Sequence, residues 1–163
     1  MRKPIIGRAR EDIALYNPAF LALLFRRCLD GYFQEHKEGL PLLLGHLGVS
    51  MALTEAVRSS LTMRVNTKLS TWISRSPRAT AQIARSARSF SPYINESVIF
   101  ALNYDVVRTA GGLFIAGDSG PLTAVRGGSQ EVIDCQRAAN YLGRWFAVSG
   151  SSATVSALLG VRP

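Results

Sequence analysis

A chain of 163 residues has the length of one domain, and a globule of that size buries roughly 70% of its unfolded surface, so no disulfide or metal is needed to hold it. Apolar residues make up 47% and charged residues only 18%, against a usual charged share of about 25%, which leaves apolar side chains for a generous core or for a permanent partner. The net charge is +8, and residues 56–95 hold seven basic side chains (Arg58, Arg64, Lys68, Arg75, Arg78, Arg85 and Arg88) with no Asp or Glu; a segregation this clean marks either a contact face for an anionic partner or a solvated basic face.

Residues 1–16 read as a basic arm with a short turn of helix at 11–15. Arg8, Arg10, Glu11 and Asp12 interrupt any apolar run there, so it is not a secretory leader. Asn17-Pro18 is a helix start, with Asn as cap and Pro at the first helical position. Leu21, Leu24, Phe25, Cys28, Leu29 and Tyr32 then hold a helical period, predicting a helix over 18–37 with Gly39 as C-cap and Pro41 beyond it. Residues 40–53 are apolar on nearly every side, which suits a buried helix. At 14 residues with Pro41, Gly45 and His46 inside, the run falls short of the ~20 that span a bilayer. Gly45 and Gly48 permit close approach of another element, and His46 is expected to be a hydrogen-bonded core residue. Thr54 and Glu55 begin a polar turn.

Asn66 or Thr67 is placed as the cap of a short helix through Leu69, Trp72 and Ile73. Ser76-Pro77 opens a second helix over 77–90, and Ser91-Pro92 repeats the signal for a third over 92–103. At 100° per residue Ala79, Ile83, Ala87 and Phe90 share one face, and Arg78, Gln82, Arg85 and Ser89 the opposite one. Residues 106–109 and 113–115 around Ala110-Gly111-Gly112 read as a β-hairpin, with a further short strand at 122–125. Ser129 opens a last helix to about residue 148, with Val132, Cys135, Ala138, Ala139, Leu142 and Phe146 inward. Gly150-Ser151-Ser152 breaks it, and a short apolar tail follows. The fold expected is mainly α: a single domain over 1–163 with a basic arm (1–16), a helical part (17–104), a hairpin wing (105–125), and a C-terminal helix and tail (129–163). Short helices followed by a hairpin is the element order of a winged helix.

Chemistry is sparse. Gly117-Asp118-Ser119-Gly120-Pro121 is similar to the nucleophile loop of trypsin-like proteases, but it lacks one glycine, and His36 and His46 both sit in helical segments away from it, so turn chemistry explains it better. Gly111, Gly112 and Gly117 lack the Gly-Lys-Ser/Thr of a phosphate loop. Cys28 and Cys135 match no ligand spacing and are expected as buried thiols in a reducing cytoplasm. No catalytic residue, metal or cofactor is assigned, and the chain is read as non-enzymatic.

The C-terminal block Leu142-Gly143-Arg144-Trp145-Phe146, followed over 151–163 by Ser-Ser-Ala-Thr-Val-Ser-Ala-Leu-Leu-Gly-Val-Arg-Pro, resembles the ending of the middle component of bacterial three-component ABC-ATPase systems. Tyr16-Asn17-Pro18-Ala19-Phe20-Leu21-Ala22 is similar to the same family, as is Lys68-Leu69-Ser70-Thr71-Trp72-Ile73 with the Arg-rich helix and Ser91-Pro92-Tyr93 after it. The tail departs from the family pattern in its polar Gly150-Ser151-Ser152 and Ser156. The resemblance implies a small accessory subunit that sits on an ATPase of the structural-maintenance-of-chromosomes (SMC) or double-strand-break-repair type and communicates with an effector, often a nuclease, as in Lamassu-type anti-phage defence. It supplies no catalytic residues.

Two sets of residues are therefore candidates. Arg64, Lys68, Arg75, Arg78, Gln82, Arg85 and Arg88 form the face for nucleic acid or for an acidic protein surface. Arg144, Trp145, Phe146 and Arg162 are candidates for partner contact, because Trp and Arg dominate interface energetics; the other reading of the aromatic pair is plain core. A free-standing winged-helix DNA-binding regulator, with Arg78, Gln82 and Arg85 in a groove, is the second functional reading.

Overall fold

In the computed structural model, which describes residues 16–119 and 128–162, Asn17 opens α1 (Pro18–His36) by accepting a hydrogen bond from the Ala19 N–H at 2.9 Å. The cap falls two residues before the expected Gly39. Lys37 takes the left-handed conformation (φ 61°) and donates its N–H to the Phe33 carbonyl. Gly39 serves close packing instead: a Cβ there would stand 2.7 Å from the Leu113 Cβ and 2.8 Å from the Phe114 oxygen. Its absence lets Leu40 exchange both backbone hydrogen bonds with Phe114, at 2.8 and 2.9 Å.

The apolar run becomes α2 (Leu42–Leu53), followed by α3 (Glu55–Ser60). Thr54 separates them, its hydroxyl donating to the Ser50 carbonyl at 2.8 Å. Gly45 faces the Phe25 ring and Gly48 the Cys28 sulfur, so both glycines let α2 pack closely on α1. Next come α4 (Leu69–Arg75), with Lys68 rather than Asn66 or Thr67 at its N-cap, and α5 (Pro77–Asn103). This is the main departure from expectation. The two helices predicted on either side of Ser91-Pro92 are one helix of 27 residues. Pro92 lies on its exposed side, so its ring is accommodated at the surface and not in the core.

A hairpin follows, β1 (Val107–Ala110) and β2 (Leu113–Ala116), antiparallel with Val107 opposite Ala116. Gly111 and Gly112 both have positive φ, 58° and 79°, the requirement of the two-residue turn that matches strand twist. Buried Arg26 ties α1 to this unit: it pairs with Asp30 at 2.8 Å and donates to the Val106 carbonyl at 2.8 Å. The arm at 1–15 and the strand at 122–125 lie outside the described residues.

Ser129 caps α6 (Gln130–Ala147), its hydroxyl accepting from the Val132 N–H. The short apolar tail, to which the sequence reading assigns no secondary structure, holds a short helix, α7 (Ser152–Leu158), with Ser151 as its cap and Gly150 at φ 114° as the turn before it. The polar tail residues are thus accounted for: Ser151 starts the helix, and buried Ser156 donates to the Ala153 carbonyl. The core is built on α1 against α6. A Cβ on Gly31 would run into the Asn140 carbonyl and one on Gly143 into the Cys28 carbonyl, so the two backbones touch. The architecture is mainly helical, with a small hairpin after the helices and a helical C-terminal segment.

Candidate partner interface

The basic stretch divides once folded. Arg58 turns inward, donating to the Ala52 carbonyl at 2.8 Å and pairing with Glu131 at 3.4 Å. Arg64, Lys68, Arg75, Arg78, Gln82, Arg85 and Arg88 are all exposed. None of these six cations pairs with a carboxylate among the described residues. Arg78, Gln82 and Arg85 share the outward face of α5, as the helical period requires, while Ala79 and Ile83 are buried opposite them.

What aims the first part of this set is aromatic. Residues 61–68 form a loop in which Met63 is left-handed at φ 56°. The Trp145 indole N–H donates to the Thr67 carbonyl at 2.6 Å, and Tyr141 donates its hydroxyl to the Arg64 carbonyl at 3.2 Å. Trp72 does the same just upstream, at the Ser60 carbonyl, 3.0 Å away. Trp72 and Trp145 pack edge to face with ring centroids 5.5 Å apart. The structure therefore puts Trp145 and Phe146 in the core, both at 0% exposure, which is the second of the two readings their sequence leaves open. On the folded chain neither ring is open to a partner. Arg144 is half-buried and pairs with Glu35 at 2.8 Å.

Arg162 has a different setting. It lines a groove of about 930 Å³ between α2, α5 and the tail, and Arg88 lines the same groove. Two arginines 74 positions apart, taken from separate candidate sets, thus flank one recess. Its walls are apolar where α2 contributes Leu42, Leu43 and Leu47, and where Ala87 and Val161 face them. His46 is half-buried in the wall. Burial holds its imidazole below the ordinary range, opposed in part by a hydrogen bond to Asn95. Sequence reasoning missed the groove because its parts belong to three elements. The one available signal was that residues 40–53 are more apolar than packing on a single neighbour requires.

The surface thus joins an exposed arginine row on α5 to an apolar groove with a cationic rim, which suits an acidic partner better than catalysis. Among the described residues no group of three or more His, Cys, Asp or Glu is placed to hold a metal, and no helix is long and apolar enough to cross a membrane. Burial pushes the Cys28 thiol up to about 12 and the Cys135 thiol up to about 11, so neither is an activated nucleophile. No curated protein and no solved structure matches the chain. A family model does, over residues 7–163, and by that match the chain belongs to MC3, the ABC-three component (ABC-3C) system middle component 3 family.

Proposed function

We propose that the chain is a non-enzymatic accessory subunit that binds an SMC-like ABC ATPase and couples it to a nuclease-type effector in cytoplasmic anti-phage defence. The observation that carries the reading is the groove: Arg88 and Arg162 flank apolar walls from α2, α5 and the tail. A desolvated apolar strip with cations at its edge is the anatomy of a protein-protein contact, and a middle component of a multi-component system has protein partners. Co-expression with the ATPase of the same system tests it. The wild-type chain is expected to co-purify with that ATPase, and the Arg88→Glu/Arg162→Glu variant to lose at least tenfold in retention. Equal recovery of both would remove the groove from the interface, and no recovery of the wild type would remove the ATPase as partner.

A second reading is supported by the arginine row. Arg78, Gln82 and Arg85 are exposed on one face of α5, with Arg75 and Lys68 nearby in sequence, and none of the cations is neutralised by a described carboxylate. Such a face suits DNA phosphates, whether in the assembled complex or as a free-standing winged-helix-like regulator. About four phosphate contacts predict a log–log salt slope near −3.6. A flat salt response of DNA binding by the isolated chain, with assembly intact, assigns the row to an acidic protein surface instead.

A further inference from the structure

Between α1 and α6 lies a second recess, of about 440 Å³, which shares no lining residue with the groove. Arg27, Met63, Ile133, Gln136, Arg137 and Asn140 line it, with Tyr141 and Arg144 alongside. Gln136 is only 5% exposed. Its Oε1 accepts from Arg27 Nη2 at 3.4 Å, which orients the amide and leaves Nε2 buried with no hydrogen-bond partner. A buried N–H without an acceptor is rare in folded proteins, and here it belongs to a residue that lines an open recess.

The electrostatics point the same way. Arg144 is neutralised by Glu35 at 2.8 Å, whereas Arg27 and Arg137 pair with no described carboxylate. No carboxylate among the described residues lines the recess. Two guanidinium groups with no described carboxylate partner balance a dianion better than a single carboxylate, and their planar forks match phosphate oxygens. The rim is held in shape: Tyr141 donates to the Arg64 carbonyl, and Met63 keeps a left-handed conformation unusual for its type. With Ile133, Met63 gives the recess an apolar wall, and the volume exceeds what one phosphate fills.

We propose that this recess binds the phosphate group of a small phosphomonoester, with Arg27 and Arg137 on the phosphate oxygens and the Gln136 amide, whose Nε2 is closed off in the unliganded chain, turning to donate a further hydrogen bond. Calorimetric titration of the full chain at fixed ionic strength tests this with three probes: adenosine monophosphate, inorganic phosphate and adenosine. Saturable binding of the monophosphate, none of adenosine, and at least tenfold weakening by Arg137→Gln is the expected result. Arg137 is exposed, so that variant keeps its fold. Gln136→Met, which keeps the volume and removes the amide, is expected to weaken binding severalfold while leaving the thermal midpoint unchanged or raised. Inorganic phosphate binding as tightly as the monophosphate would support the site and assign the free anion as its occupant. Absence of binding by both phosphate probes, or binding indifferent to Arg137→Gln, overturns the proposal.

Discussion

Trp145 donates its indole N–H to the Thr67 carbonyl at 2.6 Å while its ring is fully buried, so one side chain serves both the core and the loop that carries Arg64 and Lys68. Trp145→Phe keeps most of the apolar burial and leaves the Thr67 acceptor without its donor. The expected cost is about 1–3 kcal/mol, read by urea denaturation, together with faster amide exchange across residues 61–68. Unchanged exchange there would show that the loop does not depend on this bond. The pairing was not legible in the sequence, where Trp145 and Thr67 stand 78 positions apart, and an aromatic beside Arg144 reads as readily as surface anchor as core. His46 supports a second prediction. Its folded-state pKa lies below the ordinary value, because burial outweighs the bond to Asn95, so the unfolded chain takes up the proton first as pH falls. Stability is then full above about pH 6.5 and declines on acidification below it, before carboxylates titrate. Arg88 and Arg162 line the same groove as His46. Urea midpoints measured from pH 7.5 downward should show this decline in the wild type, and His46→Gln should flatten its onset below about pH 6.5.

The helix α5 shows why elements are harder to bound than to detect. Ser76-Pro77 does open it, and Ser91-Pro92 carries the same two-residue signal without ending anything. What overrides the signal is the buried stripe. Ala79, Ile83, Ile94, Ser97, Val98 and Ala101 are buried, and at 100° per residue they fall within one sector of about 100° that passes Pro92 without a phase shift. A helix restarted at residue 92 would in general change phase. The continuous register was therefore legible, but a local start signal masked it. The hairpin needed no such correction, because Gly111-Gly112 between β-rich segments leaves few alternatives. Pro92 is exposed; inside the helix it removes one backbone donor, and its ring crowds the carbonyl of Arg88 one turn earlier. Pro92→Ala is accordingly expected to stabilise the chain by about 1–3 kcal/mol, the interior-helix penalty of Pro less the unfolded-state entropy it removes. A raised thermal midpoint with unchanged helical circular dichroism is the outcome that fits one continuous helix. A lowered midpoint would mean that the α5 backbone requires a break there.

Across the whole molecule, charge and apolar surface meet along one side of α5. Arg88 lies at the groove, and continuing along the helix Asn95, Ile99 and Leu102 recur at a spacing that keeps them on the same side as Arg88. Ile99 is 61% and Leu102 40% exposed, and Leu42, which opens α2 and lines the groove, is 44% exposed. The charge excess of residues 56–95 was legible from composition alone, but its continuation into an apolar strip was not, since that depends on α5 running through Pro92. From residue 88 to residue 102 the helix rises about 21 Å, four turns on which a partner segment with an acidic end and an apolar end can lie. If the accessory subunit docks on its ATPase along this strip, Ile99→Asp and Leu102→Asp should each weaken co-purification by at least tenfold while leaving the urea midpoint nearly unchanged, because both side chains are exposed and changes of that kind cost within about 0.5 kcal/mol. The salt response separates this contact from the arginine row. Raising ionic strength from about 0.1 M to 1 M shortens the screening length from about 10 Å to about 3 Å, which should abolish DNA binding through Arg78 and Arg85 and leave an apolar docking largely intact. Assembly that dissolves in high salt and ignores Ile99→Asp would mean that the ATPase is held by the arginines alone.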